Sequence, residues 1–536
     1  MPVRIGYWDR SFSKVLCYPG DAGHIVTIAP TGSGKGRDVL IPALLDEASK
    51  NISCLIIDPK GQLASVTGPQ AARMGKRVII LNPFKIWPDC IGPGAERFRG
   101  LEKLCDFNAT YNPMATLDPS SDSFVPDAEG LGHGIVYQQD KADHWNESAR
   151  DLITGLIMWA AADGEDTQKN LSWVRSTICN RTRLFELAKK YGGDKYHAAP
   201  YEQFIQEKLG RYGETEPEKN KELGSIISSA VSQTAFIGNG AIGKNLAGGS
   251  FRFRELRERP TNLYLVLPGR YLKTCNRWFR LIIASALNEL MEEQTERGLQ
   301  VMLMMDEFAQ LAGGGQGGGL RAIEDAFGIG RDYGLLMWPV IQDLTQLQRD
   351  YEKGWETICA NAGALQFFRP QDNTTAEYIS KRTTDFVLDR GIKTSLSEDP
   401  MNPGKLSIST APDWKEKKYL EPWEVREIGT DEFLLFAAGK NGVHRGARRS
   451  YLKTPEFQGL YSPDPYHPGQ PQSEPESPPS QSANRGNPAA KPNTGGRVMG
   501  GSHNLVPVDE TDEEFQQRFQ REMEDDDKKR RHWWQR

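Results

Sequence analysis

Ala29-Pro30-Thr31-Gly32-Ser33-Gly34-Lys35-Gly36, "APTGSGKG", has the outline of a phosphate-binding loop. The pattern G-x-x-x-x-G-K-[S/T] asks for Gly where Ala29 stands and for a hydroxyl where Gly36 stands, so the reading turns on context. An apolar run, "HIVTIA", precedes the loop, and a helical stretch from Lys35 to Lys50 follows it. Strand, loop, helix is the setting in which such a loop works. Its backbone N–H groups and the start of the helix would wrap a β-phosphate, with Lys35 reaching the β- and γ-phosphates as a point charge. Pro30, Thr31, Gly32, Ser33, Gly34, Lys35 and Gly36 are therefore the candidate nucleotide-binding residues. The bland alternative is a Gly-rich turn with a solvated lysine.

Outward from the loop, short apolar runs alternate with helical stretches: "HIVTIA", "SCLIID" and "RVIIL", then "NLYLVLP" (262–268), a helix from about Asn276 to Arg297, "VMLMM" (301–305), "LLMWPVI" (335–341), "ALQFF" (364–368) and "FLLFAA" (433–438). This is the pattern of a mainly parallel, twisted α/β sheet with crossover helices. It is interrupted by "NESARDLITGLIMWAAA", "SWVRSTICNRTRLFELAKK", "YEQFIQEKLGRY" and "LGSIISSAVSQTAFI", which carry apolar residues at helical spacing. The expected division is a first part of a nucleotide-binding domain over 1–139, an inserted all-helical domain over 140–255 and the second part over 256–454. From Pro455 the chain turns to "SPDPYHPGQPQSEPESPPSQSANRGNPAAKPNTGG", too poor in apolar residues to offset ordering entropy. A disordered linker over 455–507 is expected, then a charged amphipathic tail over 508–536 with Phe515, Phe519 and Met523 at helical spacing. That stripe could dock on a partner as a small helix, or be a solvated tail.

A second motif supports the first. "VMLMMDEFAQLA" is an apolar strand ending in Asp306-Glu307, and ligands of parallel sheets bind at carboxyl ends of strands. Asp306 can hold Mg²⁺ there, directly or through water, and Glu307 can orient or deprotonate an attacking water. Alone, the pair reads equally well as an acid-rich helix N-terminus; beside a phosphate loop the catalytic reading leads. Asp58 in "LIIDPKGQLA" also ends a strand and is open to a supporting role or a salt bridge with Lys60. Gln342 ends "LLMWPVIQ", where an amide could sense the γ-phosphate or simply cap the strand. Pro42, seven residues past Lys35, should kink or reset the helix.

Bulk composition bounds the rest. At 536 residues the chain exceeds one ordinary core. With Lys+Arg 66 against Asp+Glu 71, net charge −5, it does not coat nucleic acid by bulk charge, so any DNA contact is local. Its seven cysteines hold no C-x-x-C pair, against a zinc site or disulfide scaffold and in favour of a reducing cytosol. No window offers the roughly 18 uninterrupted apolar residues of a bilayer span, and Leu152 to Ala162 reads as a buried helix.

"APTGSGKGRDVLIPALL", "LIIDPKGQLA", "YNPM", "HWNESARDLITGLIMW", "MMDEFAQL", "IEDAFGIGRDYGLLMWPVIQDLTQLQRDY" and "NAGALQFFRPQDNTTAEYIS" follow one another in this order. The ordered set, from about Gly20 to Leu452, resembles the TraG/VirD-type coupling proteins of type IV secretion and conjugation. The resemblance implies a RecA-like P-loop motor with an inserted all-alpha domain that binds ATP and Mg²⁺ and brings DNA, single-stranded and carried with a relaxase, or protein substrates to secretion channel components. It implies a homo-oligomeric ring, a hexamer among the sizes open. It also implies roles: Lys35 on phosphate, Asp306 on the metal, Glu307 on water and Gln342 as sensor. Gly36 resembles a feature of one branch, and a water can replace the lost hydroxyl on Mg²⁺. Ala29 requires only that its position avoid positive φ.

Two departures stand out. Members usually begin with membrane-spanning helices, whereas about two dozen residues precede the first strand here. Either this is a soluble, cytoplasmic variant, peripheral at the bacterial inner membrane through partners, or the chain is one piece of a split system. The familiar "DPKGE" reads "DPKGQ", with Gln62 in place of the acid. Two further features stay open. The six glycines within Gly313 to Gly319 could track a phosphate backbone or form a plain solvent loop, and Arg331, Arg369 and Arg382 are candidates for a charge supplied to a neighbour's site. The rival readings are a DNA-translocating ATPase outside secretion and a receptor platform that binds nucleotide without hydrolysing it.

Overall fold

The structure, a computed structural model, describes residues 2–19, 23–87, 102–136, 144–193, 199–214, 220–292, 299–308, 319–352, 354–383, 385–398, 406–439 and 442–466. Its strands are β1 (Pro2–Tyr7), β2 (Val15–Pro19), β3 (His24–Ile28), β4 (Ser53–Ile57), β5 (Arg77–Leu81), β6 (Thr261–Leu265), β7 (Val301–Met305), β8 (Leu335–Ile341), β9 (Ala362–Phe367), β10 (Asp385–Glu398), β11 (Leu406–Lys418), β12 (Glu432–Ala437) and β13 (His444–Ala447). Eleven of them form one sheet in the order β2-β1-β13-β12-β9-β3-β8-β7-β4-β6-β5. From β9 to β5 every pairing is parallel, and from β12 to β2 every pairing is antiparallel. The expected RecA-like α/β sheet is thus present, with an antiparallel wing on the β9 side.

Every residue of β3, β4, β7, β8 and β9 is buried, which is why these strands read as continuous apolar runs. The few polar side chains among them are satisfied. Trp338 Nε1 donates to Thr27 Oγ1 (2.9 Å), which donates to Gln366 Oε1 (3.0 Å), and Gln366 Nε2 donates to the Ile5 carbonyl (2.9 Å). This chain of bonds ties four strands together across the core.

Alternate residues face two cores. Ile25, Ala29, Cys54 and Ile56 pack with α1 (Ile41–Leu45) and α2 (Gln62–Arg73) on one face. Val26, Ile28, Leu55 and Ile57 join the larger core on the other. That core takes in the helices between β5 and β6, namely α3 (Phe124–Ile135), α4 (His144–Ala162), α5 (Leu171–Cys179), α6 (Arg181–Ala188), α7 (Pro200–Glu214), α8 (Lys221–Gln233) and α9 (Gly240–Asn245). The helices of the sheet's second half join it too: α10 (Leu272–Leu290), α11 (Arg321–Ile329), α12 (Leu344–Tyr351), α13 (Gly354–Ala360), α14 (Asn373–Arg382) and α15 (Pro422–Arg426). α4 is buried over nearly its whole second half, as its apolar run requires, and packs on α3, α7 and α8.

Several expectations are corrected. Residues 2–19, expected to precede the first strand, hold β1 and β2, the edge of the antiparallel wing. Helix α3 begins the helical layer earlier than position 140. Its glycines hide it from propensity yet let its neighbours approach: a Cβ on Gly132 would lie 2.2 Å from Thr154 Oγ1 of α4, and one on Gly134 would lie 3.3 Å from Leu281 Cδ1 of α10. The stretch from Lys35 to Lys50 is reset at Pro42, as the proline predicts. An i→i+5 turn over Gly36–Leu40, closed by Ile41 N–H on the Gly36 carbonyl, precedes α1, where Pro42 occupies the first turn. Proline lacks an N–H and crowds the carbonyl four residues back, so a wider turn relieves the conflict.

Finally, the expected linker does not begin at Pro455. Phe457 is buried beneath the Arg4 guanidinium, 4.7 Å from the ring centroid, and Ser462 N–H donates to the Val66 carbonyl (3.0 Å). The remainder of the linker and the tail lie outside the described residues. Among the described residues, no helix is long and apolar enough to cross a membrane.

Candidate nucleotide site

The loop leaves the carboxyl end of β3, between β8 and β9. Ala29 N–H donates to the Ile341 carbonyl of β8 (2.7 Å), and Ala29 does not have positive φ, so Cβ is tolerated there. Gly32 and Gly34 do have positive φ, +76° and +85°; a Cβ on Gly34 would also lie 2.6 Å from Asp38 Oδ2. At Gly36 the situation is opposite: φ is not positive and a Cβ would meet nothing within 4 Å. Glycine is sterically required at position 34 and optional at 36.

Three strand ends meet at the lysine. Lys35 Nζ lies 4.0 Å from Asp306 Oδ1 and 3.8 Å from Glu307 Oε2, just past β7. Gln342, just past β8, donates from Nε2 to Glu307 Oε1 (3.1 Å). Asp306 Oδ1 is enclosed and accepts no hydrogen bond among the described residues. Burial pushes the Asp306 carboxyl pKa up and the Glu307 charge adds to that, while Lys35 and Lys60 pull it down. Enclosed, and 4.0 Å from the Lys35 ammonium, this carboxylate oxygen is of the chemical type that binds a cation or accepts from a water. Among the described residues no three His, Cys, Asp or Glu side chains converge into a metal cage. Mg²⁺ is commonly held by one or two carboxylates together with substrate phosphates and waters, and Asp306 and Glu307 supply two carboxylates beside Lys35.

Asp58 lies near this cluster. It does not pair with Lys60. It accepts the N–H groups of Gln62 (3.0 Å) and Ala64 (2.8 Å), so it caps α2. Burial pushes its pKa up to about 7 against the pull of these amides, and the Asp306 charge pushes the same way. The change to Gln62 also has a local reason. Its Nε2 donates to Asp464 Oδ2 (2.6 Å), where a glutamate would face a second carboxylate.

Sequence reasoning missed Arg448. This buried guanidinium lies over the Phe368 ring (4.3 Å to the centroid), donates to Asp38 Oδ2 (3.2 Å) and donates to the carbonyls of Ser33 and Thr430. It thereby grips the phosphate loop from a segment more than 400 residues downstream. In the sequence it is one of several arginines in "HRGARRS", and nothing local sets it apart. From Arg448 the chain continues as a strap to Tyr466, whose hydroxyl donates to the Lys60 carbonyl on the opposite side of the site.

The three arginines proposed for a neighbour's site divide. Arg331 precedes β8, at the end of the sheet away from the loop. Arg382 is exposed, donates to Tyr378 Oη (2.8 Å) and lies over Phe436 (5.3 Å). Arg369 follows β9 and lines a cleft beside this chain's own loop. The glycine run falls outside the described residues except for Gly319.

Comparison with known proteins agrees with this architecture. TraG, a conjugal transfer protein of Agrobacterium fabrum, is 24% identical over 481 residues, covering 85% of this chain and 64% of that protein. The chain thus spans just under two thirds of that relative's length. TraG of Escherichia coli is 25% identical over 495 residues, covering 85% of this chain and 72% of the relative. VirD4 of Rhizobium radiobacter is 24% identical over 438 residues, 78% and 56% respectively. Among solved structures, the plasmid coupling protein TrwB in complex with ADP and Mg²⁺ superposes with a TM-score of 0.54 at 16% identity, covering 86% of this chain and 97% of that one. At that identity the likeness establishes the RecA-like P-loop NTPase fold. The model of the family described as Type IV secretory system Conjugative DNA transfer matches residues 5–93 and 103–468, nearly all of the described chain. With the ordered motifs and the strand-end site in place, the chain belongs to the type IV secretory system conjugative DNA transfer family.

Proposed function

We propose that this chain is an ATP-hydrolysing coupling protein that recruits DNA–relaxase complexes, protein substrates or both to a type IV secretion machine. The observation that carries the reading is the convergence of Lys35, Asp306, Glu307 and Gln342 from three neighbouring strand ends. The family membership, and the names of TraG, VirD4 and TrwB, support the setting in conjugative transfer.

The chemistry is positional and electrostatic. The loop amides and Lys35 hold the phosphates, and Lys35 faces both carboxylates so that its charge serves whichever group the phosphates leave exposed. Glu307, held on one side by Gln342, is oriented to accept a proton from water. The Gln342 amide links that carboxylate to β8, so a shift at the γ-phosphate position reaches the strand. Asp306, with its enclosed oxygen, is the residue that would hold Mg²⁺, which when bound neutralises charge developing on the phosphates. A homo-oligomeric ring acting at the inner membrane through partner proteins completes the proposal.

ATP turnover by the full chain, measured with and without single-stranded DNA, tests the reading. Turnover stimulated by DNA is the expected result. Tight ATP binding with no turnover in either condition would replace the motor by a receptor platform. The open space at Gly36 allows a second measurement. Gly36→Ser is expected to fold unchanged and to reach half-maximal turnover at a lower Mg²⁺ concentration, because the new hydroxyl supplies a ligand that water otherwise provides. A titration of turnover against Mg²⁺ for both proteins checks it.

A further inference from the structure

In a trans peptide the carbonyl of one residue and the N–H of the next lie in one rigid plane and point in opposite directions. Fixing a carbonyl outward from the phosphate loop therefore aims the following N–H inward. Ser33 N–H is already taken by the Pro30 carbonyl (3.1 Å). The N–H groups of Gly34 and Lys35 donate to no described residue, so they are the donors left for an anion.

The Gly34–Lys35 plane is held locally, because the Gly34 carbonyl accepts the Asp38 N–H (2.8 Å). The Ser33–Gly34 plane lies between two glycines at positive φ, Gly32 (+76°) and Gly34 (+85°). Glycine passes between positive and negative φ at little cost, so the loop's own sequence leaves that plane free to flip. A flip would turn the Ser33 carbonyl, with its partial negative charge, toward the phosphates.

Arg448 prevents it. Its Nη1 donates to the Ser33 carbonyl, and the guanidinium cannot follow the loop. It is buried over the Phe368 ring (4.3 Å), and it donates to the Thr430 carbonyl through Nη2 and to the Glu432 carbonyl through Nε (3.4 Å). We infer that Arg448 is a positioning residue of the nucleotide site: it pins the Ser33 carbonyl outward so that the Gly34 N–H faces the phosphates. The inference rests on the nucleotide reading above. It adds that one of the two free loop amides is aimed by the antiparallel wing rather than by the loop.

The same guanidinium shields the phosphates from Asp38. That buried carboxylate lies directly under the loop, since a Cβ on Gly34 would sit 2.6 Å from its Oδ2. It is shared between Arg37 (2.6 and 3.0 Å) and Arg448 (3.2 Å). Two guanidinium groups against one carboxylate leave the underside of the loop net positive, which favours an anion above it.

Calorimetric titration of the full chain with ATP and with inorganic tripolyphosphate, both with Mg²⁺, tests the inference on Arg448→Met, Asp38→Asn and Lys35→Ala. Methionine keeps most of the packing over Phe368 and removes every donor; each variant is titrated below its own melting transition, followed by circular dichroism. Arg448→Met is expected to bind both ligands about 10- to 100-fold more weakly, the range for loss of one charge-assisted hydrogen bond. Asp38→Asn breaks the Arg448 ion pair but leaves the Ser33 bond, so it is expected to bind both ligands as tightly as the unmodified chain or more tightly. Unchanged affinity in Arg448→Met would overturn the inference. Equal weakening in Asp38→Asn would also overturn it, because the ion pair and not the carbonyl would then matter; so would weakening confined to ATP, which would place Arg448 on the nucleoside. Lys35→Ala should weaken both ligands; if it weakens neither, the nucleotide assignment itself fails, whatever Arg448→Met does.

Discussion

Lys35→Ala is expected to lower ATP turnover by at least about 100-fold, since removing one preorganised electrostatic donor from a reaction site costs about 10²–10³ in rate. The lysine is the one cation within 4.0 Å of both Asp306 and Glu307 among the described ion pairs, so its loss acts twice. The phosphates lose a point charge, and the two adjacent carboxylates lose the group that moderates their repulsion. Asp306 then holds its proton to higher pH, because the nearby Lys35 charge opposes the upward push of burial on its pKa. The fold should survive: the lysine lies at the rim of the sheet, and the loop backbone is set by Gly32, Gly34 and the Arg448 bond to Ser33. Steady-state hydrolysis together with circular dichroism separates the two outcomes. Full turnover by a folded variant would remove Lys35 from the mechanism.

Glu307→Gln is expected to lower turnover by about 10²–10⁴-fold, the range for a lost general base, while ATP binding is retained. The amide matches the carboxylate in size and can still accept a hydrogen bond from Gln342, whose Nε2 lies 3.1 Å from Glu307 Oε1. Removing the Glu307 charge also removes a cause that raises the Asp306 pKa, so the metal-side carboxylate ionises more readily. Binding should therefore hold or tighten as hydrolysis falls. Single-turnover kinetics beside calorimetry distinguishes this from Lys35→Ala, which should impair both. A Glu307→Gln variant that hydrolyses ATP normally would leave the glutamate a structural role only.

The parallel half of the sheet was legible because burial on both faces leaves a direct mark in composition: "SCLII", "VMLMM" and "LLMWPVI" have no face that must be polar. The candidate site was legible for a related reason, since its residues sit at the ends of those same strands. What stayed hidden depends on distant partners. β1 meets β13 at the single pair Tyr7 and Ala447, a pairing separated by most of the chain. The β10–β11 ribbon pairs from Asp385 with Lys418 to Glu398 with Leu406, and its mixed sequence carries no clean alternation. α3 is a helix in spite of three glycines because α4 and α10 need the room. Arg448 acts through carbonyls, which sequence does not distinguish.

The strap from Arg448 to Tyr466 changes where the body of the protein ends. It is fastened to the phosphate loop at Ser33 and Asp38, and to the entrance of α2 through Gln62 with Asp464 and Lys60 with Tyr466. These two anchor points stand on opposite banks of the nucleotide site. Residues beyond 466 are therefore not attached to a passive edge: a pull on them is delivered first to a peptide that spans both banks, like a drawstring around a purse. A truncation chosen from composition, at Pro455, would cut that string; one placed after Tyr466 would leave it tied.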